Sequence, residues 1–151
     1  GKGIPLDAFK VDHACGAVEQ VVLDQADKDI LLIEGQGSLL HPGSTATLPL
    51  MRGSCPTHLI LCLRAEIKTL RSPEHIKIPD LNDFIALNES LASVFGTFPR
   101  SRVIGIAANT SMLSDNDAKA YLSKTLKDTG LVTTDPIRYG IAPIGEEILM
   151  S

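Results

Sequence analysis

The feature that most constrains this chain is a set of apolar runs that do not alternate. Asp29–Ile33 (Asp-Ile-Leu-Leu-Ile), His58–Leu63 (His-Leu-Ile-Leu-Cys-Leu) and Arg102–Ala108 are each continuous and bounded by turn residues. A strand with one wet face alternates; a strand covered on both faces does not, and such strands belong to parallel sheets. Helical periodicity fills the gaps. Ala14, Ala17, Val18, Val21 and Val22 share one face, with Glu19, Gln20, Asp24 and Gln25 opposite. The spacing predicts a second long helix over Leu81–Phe95, with Asp80 as N-cap and Gly96 as stop. A third starts at the Ser114 cap, runs to about Thr129 and ends at Gly130. Leu6–Val11 and Leu131–Thr134 read as short strands, and Thr45–Met51 as a short helix broken at Pro49. Arg64–Asp80 is polar, carries Pro73 and Pro79, and reads as a long loop. Gly140–Ser151 fits either element type. Strand and helix alternate throughout, which means right-handed βαβ units in a single α/β domain spanning residues 1–151.

Composition removes several functions. The 14 Lys and Arg against 18 Asp and Glu leave a net charge of −4, the wrong sign for binding nucleic acid through its phosphates. Tryptophan is absent and aromatics make up only 4%, so no stacking platform for bases exists. No apolar run approaches the roughly 20 residues that a bilayer span needs. Cys15, Cys55 and Cys62 are odd in number and lack metal-site spacing, which suits reduced thiols in a cytoplasmic protein. The chain opens Gly-Lys-Gly-Ile-Pro, without Met, as a piece of a longer polypeptide is expected to do.

Open parallel sheets bind ligands at the carboxyl ends of their strands. Three expected strand ends carry unusual residues: Asp12-His13, Glu34-Gly-Gln-Gly-Ser38 with His41-Pro42, and Asn109-Thr110-Ser111. All three are expected on one edge of the sheet. Glu34 matters most. A carboxylate directly after an apolar strand suits Mg²⁺, a hard ion that takes one or two carboxylates plus water and phosphate oxygens. Asp12 is the candidate second metal residue, or else caps the helix after it. Gly35 and Gly37 let a ligand approach the backbone, with Gln36 and Ser38 beside them. His41 and His13 are acid–base candidates near neutral pH, against ordinary hydrogen-bonded turn histidines. Cys15 faces the same edge but has no assigned base. Asn109 is placed to read a nucleotide base, or to tolerate a tight turn. Arg52, Arg64, Arg71 and Arg138 suit phosphate or carboxylate without a ranking. His58 and His75 have no partner in sequence. The phosphate-cradling pattern Gly-x-x-x-x-Gly-Lys-[Ser/Thr] is absent.

Gly3-Ile-Pro-Leu-Asp7, Asp12-His-x-x-Gly-Ala-Val-Glu19 and Glu34-Gly-Gln-Gly-Ser-Leu-Leu-His-Pro42 together resemble one family, with further likeness at Gly53-Ser-x-Pro56, Ala108-Asn-Thr110 and Asp135-Pro-x-Arg138-x-Gly140. It is a domain-of-unknown-function family with a P-loop-like fold, similar to dethiobiotin synthetase, and it includes D-glutamate N-acetyltransferases. His13 stands where the family more often has Phe. The resemblance implies a three-layer P-loop NTPase-like domain with a mostly parallel sheet. It implies that the first strand, the Walker loop and an N-terminal Rossmann-like domain lie upstream. It further implies acetyl transfer from acetyl-CoA to the amino group of an acidic amino acid. The site would be Glu34, His41 and Asp12, with the ligand held by Gly35, Gln36, Gly37, Ser38 and Asn109. Two alternatives remain: an ATP- or GTP-dependent ligase or kinase in which Glu34 and Asp12 hold Mg²⁺, and a non-catalytic domain of the same fold. A small-molecule substrate and a homo-oligomer are expected, with residues 1–151 alone inactive.

Overall fold

The computed structural model describes residues 1–8 and 10–151. It divides into two compact units, Gly1–Pro56 and Thr57–Ser151.

The second unit carries the sheet. Strands β1 (His58–Arg64), β2 (Arg102–Asn109) and β3 (Val132–Thr134) are parallel and lie in the order β1-β2-β3. Two of the three apolar runs thus form strands, but the cover expected on both faces holds only for β2: in the edge strand β1, Ile60, Cys62 and Arg64 are exposed. The ladder between β1 and β2 shifts register once. Leu59 pairs with Val103 and Ile60 with Gly105, leaving Ile104 as a bulge. Three helices pack on this sheet: α3 (Leu81–Ser93) on β2, α4 (Asp115–Thr129) on β3, and α5 (Ala142–Met150) on β2 and β3. Ile106, Ala108, Ala118 and Ile144 are fully enclosed, and Ile144 sits directly against Gly105. The helix boundaries follow their caps. Asp80 Oδ1 accepts from the Asn82 amide at 2.8 Å, and Ser114 Oγ accepts from the Asp117 amide at 3.2 Å. Gly130, with φ 72°, closes α4. Helix α3 stops two residues before the expected end, because Val94 and Phe95 already adopt left-handed backbone (φ 46° and 51°) ahead of Gly96.

The first unit is helical. Helices α1 (Val11–Leu23) and α2 (Thr47–Ser54) pack together around Leu6, Ala14, Val18 and Ala46. Gly53 makes the approach possible. A Cβ there would lie 2.4 Å from the Cys15 carbonyl oxygen and 2.7 Å from Val18 Cβ.

Three expectations fail in this unit. Leu6–Val11 is not a strand: Leu6–Ala8 forms a 3-10 turn and α1 begins at Val11, with residue 9 outside the described residues. Pro49 does not break its helix. It occupies the third position of α2, where its missing N–H would have had no intrahelical acceptor. Asp29–Ile33 has the composition of a buried strand but forms no regular element. Leu32 is 81% exposed and Ile30 50%. A strand exists only through hydrogen bonds to a neighbour, and among the described residues this run has none. The Asp12 and Glu34 positions therefore do not end sheet strands; of the three expected strand ends, Asn109 alone does.

Candidate functional site

Glu34 and its glycine-flanked neighbours lie in the first unit. Residues 31–36 line a cavity of about 820 Å³ whose other walls include Leu6, Val18, Val22 and Leu50. The polar part of the lining comes from Lys2, Gln25, Glu34 and Gln36. Glu34 is exposed and, among the described residues, makes no hydrogen bond or ion pair. Its carboxylate is free to meet a ligand.

The segment after Glu34 folds on itself. The Ser38 amide donates to Ser44 Oγ at 3.2 Å, Ser44 Oγ and Thr47 Oγ1 share a 2.8 Å hydrogen bond, and Thr47 Oγ1 donates to the Gln36 carbonyl at 2.9 Å. The His41 amide donates to the Ser38 carbonyl at 3.0 Å, and the Ser44 amide to the His41 carbonyl at 3.0 Å. These bonds tie the loop to the first turn of α2. Gly37 is required here on two counts. Its φ is +73°, and a Cβ would fall 2.1 Å from Ser44 Oγ. Ser44 and Thr47 were not singled out from sequence; ordinary hydroxyls carry no sign of which backbone groups they will meet.

His41 shows a specific polarity. Its Nδ1 accepts from the Gly43 amide at 3.0 Å. In the neutral ring that bond places the proton on Nε2. Asp12 lies exposed in the first turn of α1, where a negative charge favours the helix dipole, and outside the cavity lining. His13 and Cys15 are exposed on α1. Among the described residues no group of three His, Cys, Asp or Glu is gathered for a metal ion.

In the second unit, Asn109 ends β2 and its Oδ1 accepts from the Ser111 amide at 3.0 Å, the turn role that competed with base reading. The next residue belongs to a network that the sequence concealed. Thr110 is buried, and both its amide (2.9 Å) and its hydroxyl (2.5 Å) donate to Asp135 Oδ2. Asp135 Oδ1 accepts from the Ile137 and Arg138 amides at 3.0 and 3.1 Å. The residue is only 3% exposed. Burial pushes its carboxyl up; the hydrogen bonds from Thr110, Arg138 and Ile137 outweigh it and hold the pKa at about 2. The latch joins the carboxyl ends of β2 and β3. Around it, Arg138 Nη2 donates to the Leu113 carbonyl at 2.7 Å and the Tyr139 hydroxyl to Asp115 at 2.7 Å. The Asp135-Pro136 turn was visible in sequence, but two of the carboxylate's four donors, the Thr110 amide and hydroxyl, come from the end of another strand. His58 Nδ1 meets Thr57 Oγ1 at 3.0 Å, and His75, Arg64 and Arg71 are exposed.

A family model described as a domain of unknown function, the C-terminal P-loop domain of DUF1611, matches residues 1–145, which makes this an α/β domain of P-loop type. The chain belongs to the DUF1611 family. A crystal structure of a family member from Anabaena variabilis ATCC 29413 is 47% identical and superposes with a TM-score of 0.96, covering 100% of this chain and 44% of that one. Two proteins named D-glutamate N-acetyltransferase are also similar. The one from Tritonibacter scottomollicae is 35% identical over 93% of this chain and 42% of its own length. The one from a Pseudoalteromonas species is 32% identical over 95% of this chain and 43% of its own. The chain thus spans less than half the length of the relatives it matches. No helix among the described residues is long and apolar enough to cross a membrane.

Proposed function

We propose that this chain is the P-loop-type portion of an N-acetyltransferase that moves acetyl from acetyl-CoA to the amino group of an acidic amino acid resembling D-glutamate. The observation that carries the reading is the unpaired Glu34 carboxylate on a cavity wall, beside a loop held rigid by Ser38, Ser44 and Thr47, in a chain 35% identical to a D-glutamate N-acetyltransferase.

The lining fits the acyl end of such a donor. Its aliphatic walls suit an acyl-pantetheine arm, and Glu34, Gln36, Lys2 and Gln25 give it polar groups besides. Bound acetyl-CoA would supply an activated acyl group as a thioester. The chain's own residues would do the rest. An amino acid arrives as an ammonium, which is no nucleophile until it loses a proton. Glu34 would hold that ammonium and take the proton. His41, on the same loop, is the second acid–base candidate of this reading. Gly35 and Gly37 would leave backbone room for the ligand. Asp12 has a supporting electrostatic role at most in this reading.

A second reading is a Mg²⁺-dependent, ATP- or GTP-using ligase or kinase, favoured by the P-loop description of the family. Glu34 would then hold the metal. One experiment separates the two. Full-length protein is assayed for CoA thiol release with acetyl-CoA and D-glutamate or related acidic amino acids, and for nucleotide turnover with Mg²⁺. Thiol release is expected, with Glu34→Gln lowering kcat about 100-fold or more. Nucleotide turnover without thiol release would replace the first reading with the second; neither activity would remove both.

A further inference from the structure

The long connection after β1 is ordered in its middle. Thr69 forms an isolated antiparallel bridge with Lys77. The Leu70 amide donates to the Ile76 carbonyl at 2.9 Å, and the Ile78 amide to the Lys68 carbonyl at 2.9 Å. A third bond, from the Ile76 amide to the Pro73 carbonyl at 3.2 Å, closes the tip. The result is a small hairpin over residues 68–78. Exposure alternates along both of its arms. Leu70, Ile76 and Ile78 are half-buried, whereas Thr69, Arg71, His75 and Lys77 are exposed. Successive side chains on a ladder point to opposite faces, so the aliphatic face holds the hairpin in place and the polar face is turned to solvent.

The charge of this stretch runs against the rest of the chain. Residues 64–78 hold Arg64, Lys68, Arg71 and Lys77 with only Glu66 and Glu74 as acids, in a chain of net charge −4. Elsewhere Lys2, Lys28, Lys119 and Lys124 each pair with an aspartate. Among the described residues Arg71 and Lys77 have no such partner. Position adds a second argument. The hairpin begins a few residues past the carboxyl end of β1, and the Ala65 amide extends the sheet in that direction by donating to the Asn109 carbonyl at 3.0 Å. That edge of an open parallel sheet is where ligands bind.

We propose that the outer face of this hairpin, made by Thr69, Arg71, His75 and Lys77, binds the phosphates of a nucleotide-type ligand. The proposal rests on the ligand common to both readings above, since acetyl-CoA and ATP each carry a multiply charged phosphate end. Arg71 presents a planar fork to two phosphate oxygens, and Lys77 adds a point charge. Thr69, across the bridge from Lys77, adds a hydroxyl, and His75 a ring N–H. A single carboxylate would leave one of the two full positive charges unmet; a pyrophosphate or a phosphate monoester meets both. The hairpin thus selects ligands by their phosphate end and leaves the chemistry to other groups.

The test uses the full-length protein. Calorimetric titrations with CoA and with ATP and Mg²⁺ compare the wild type with the Arg71→Gln/Lys77→Gln double variant at fixed ionic strength. Whichever nucleotide the wild type binds, the variant is expected to bind it at least about ten-fold more weakly, because two charge-assisted hydrogen bonds are lost. Any smaller loss overturns the proposal and leaves the reading of function standing. Inorganic pyrophosphate is the probe that needs neither reading. Its addition should shift the His75 ring signals in NMR saturably in the wild type, and the shift should vanish in the double variant. No saturable shift, or one that the variant retains, overturns the proposal. Saturable pyrophosphate binding by a protein that takes neither CoA nor ATP keeps the anion site but overturns its nucleotide ligand, together with both readings of function.

Discussion

The two units solve one problem differently. In Thr57–Ser151 both apolar runs pair: β2 is flanked by β1 and β3, helices enclose Ile106 and Ile144, and β1 lies at the edge with Ile60 and Cys62 exposed. In Gly1–Pro56 an equally apolar run has no strand beside it among the described residues and stays irregular with its side chains partly exposed. Asp29–Ile33 and His58–Leu63 look alike as sequence. The contrast teaches that an unalternating run encodes a demand for neighbours and says nothing about whether they are supplied.

The sharpest way to break the contrast is in the second unit. Ile106→Ala removes a side chain with no exposure from the middle of the sheet, and a loss of about 4 kcal/mol is expected in denaturant unfolding. A loss below about 1 kcal/mol would mean the second unit is no better packed than the first.

Next in size is the latch. Asp135→Asn keeps the shape but gives up the charge that accepts four donors, and about 2 kcal/mol should be lost. The sign of its pH dependence is set by the depressed carboxyl. Its folded pKa of about 2 lies below the ordinary 3.8, so its contribution is fully present above about pH 4 and is lost as pH falls toward 2. Acid titration of the wild type against Asp135→Asn should show their stabilities converging across that window. Parallel curves would remove the latch from the account.

Smallest is the helix contact of the first unit. Gly53→Ala places a methyl group against the Cys15 carbonyl and Val18, and about 1–2 kcal/mol is expected. A neutral result would show that α1 and α2 can separate freely.

Much of the second unit was legible in the residues. His58–Arg64, Arg102–Asn109 and the Ser114–Gly130 helix with its caps all follow from local pattern, since each strand's partner is close in the chain order. The first unit was less so. Leu6–Val11 has strand-like composition yet turns into α1, and Pro49 is harmless because it falls in a first turn rather than mid-helix. Of the candidate site, the Glu34–His41 stretch was visible as a glycine-punctuated block after an apolar run. Its rigidity was not, because Ser44 and Thr47 act through backbone carbonyls and amides several residues away. The Asp135 latch was hidden for the same reason: its partners at Thr110 lie 25 positions upstream.

The bulge at Ile104 has an evolutionary consequence. Side chains alternate across a strand, so the one spare residue between Val103 and Gly105 decides which way the first part of β2 faces relative to the rest. A descendant that lost this position would gain a regular ladder and turn Val103, now 4% exposed, toward the opposite layer. Single-residue gaps should therefore be rare at this point among relatives, and where one occurs, compensating replacements should accompany it at 102 and 103.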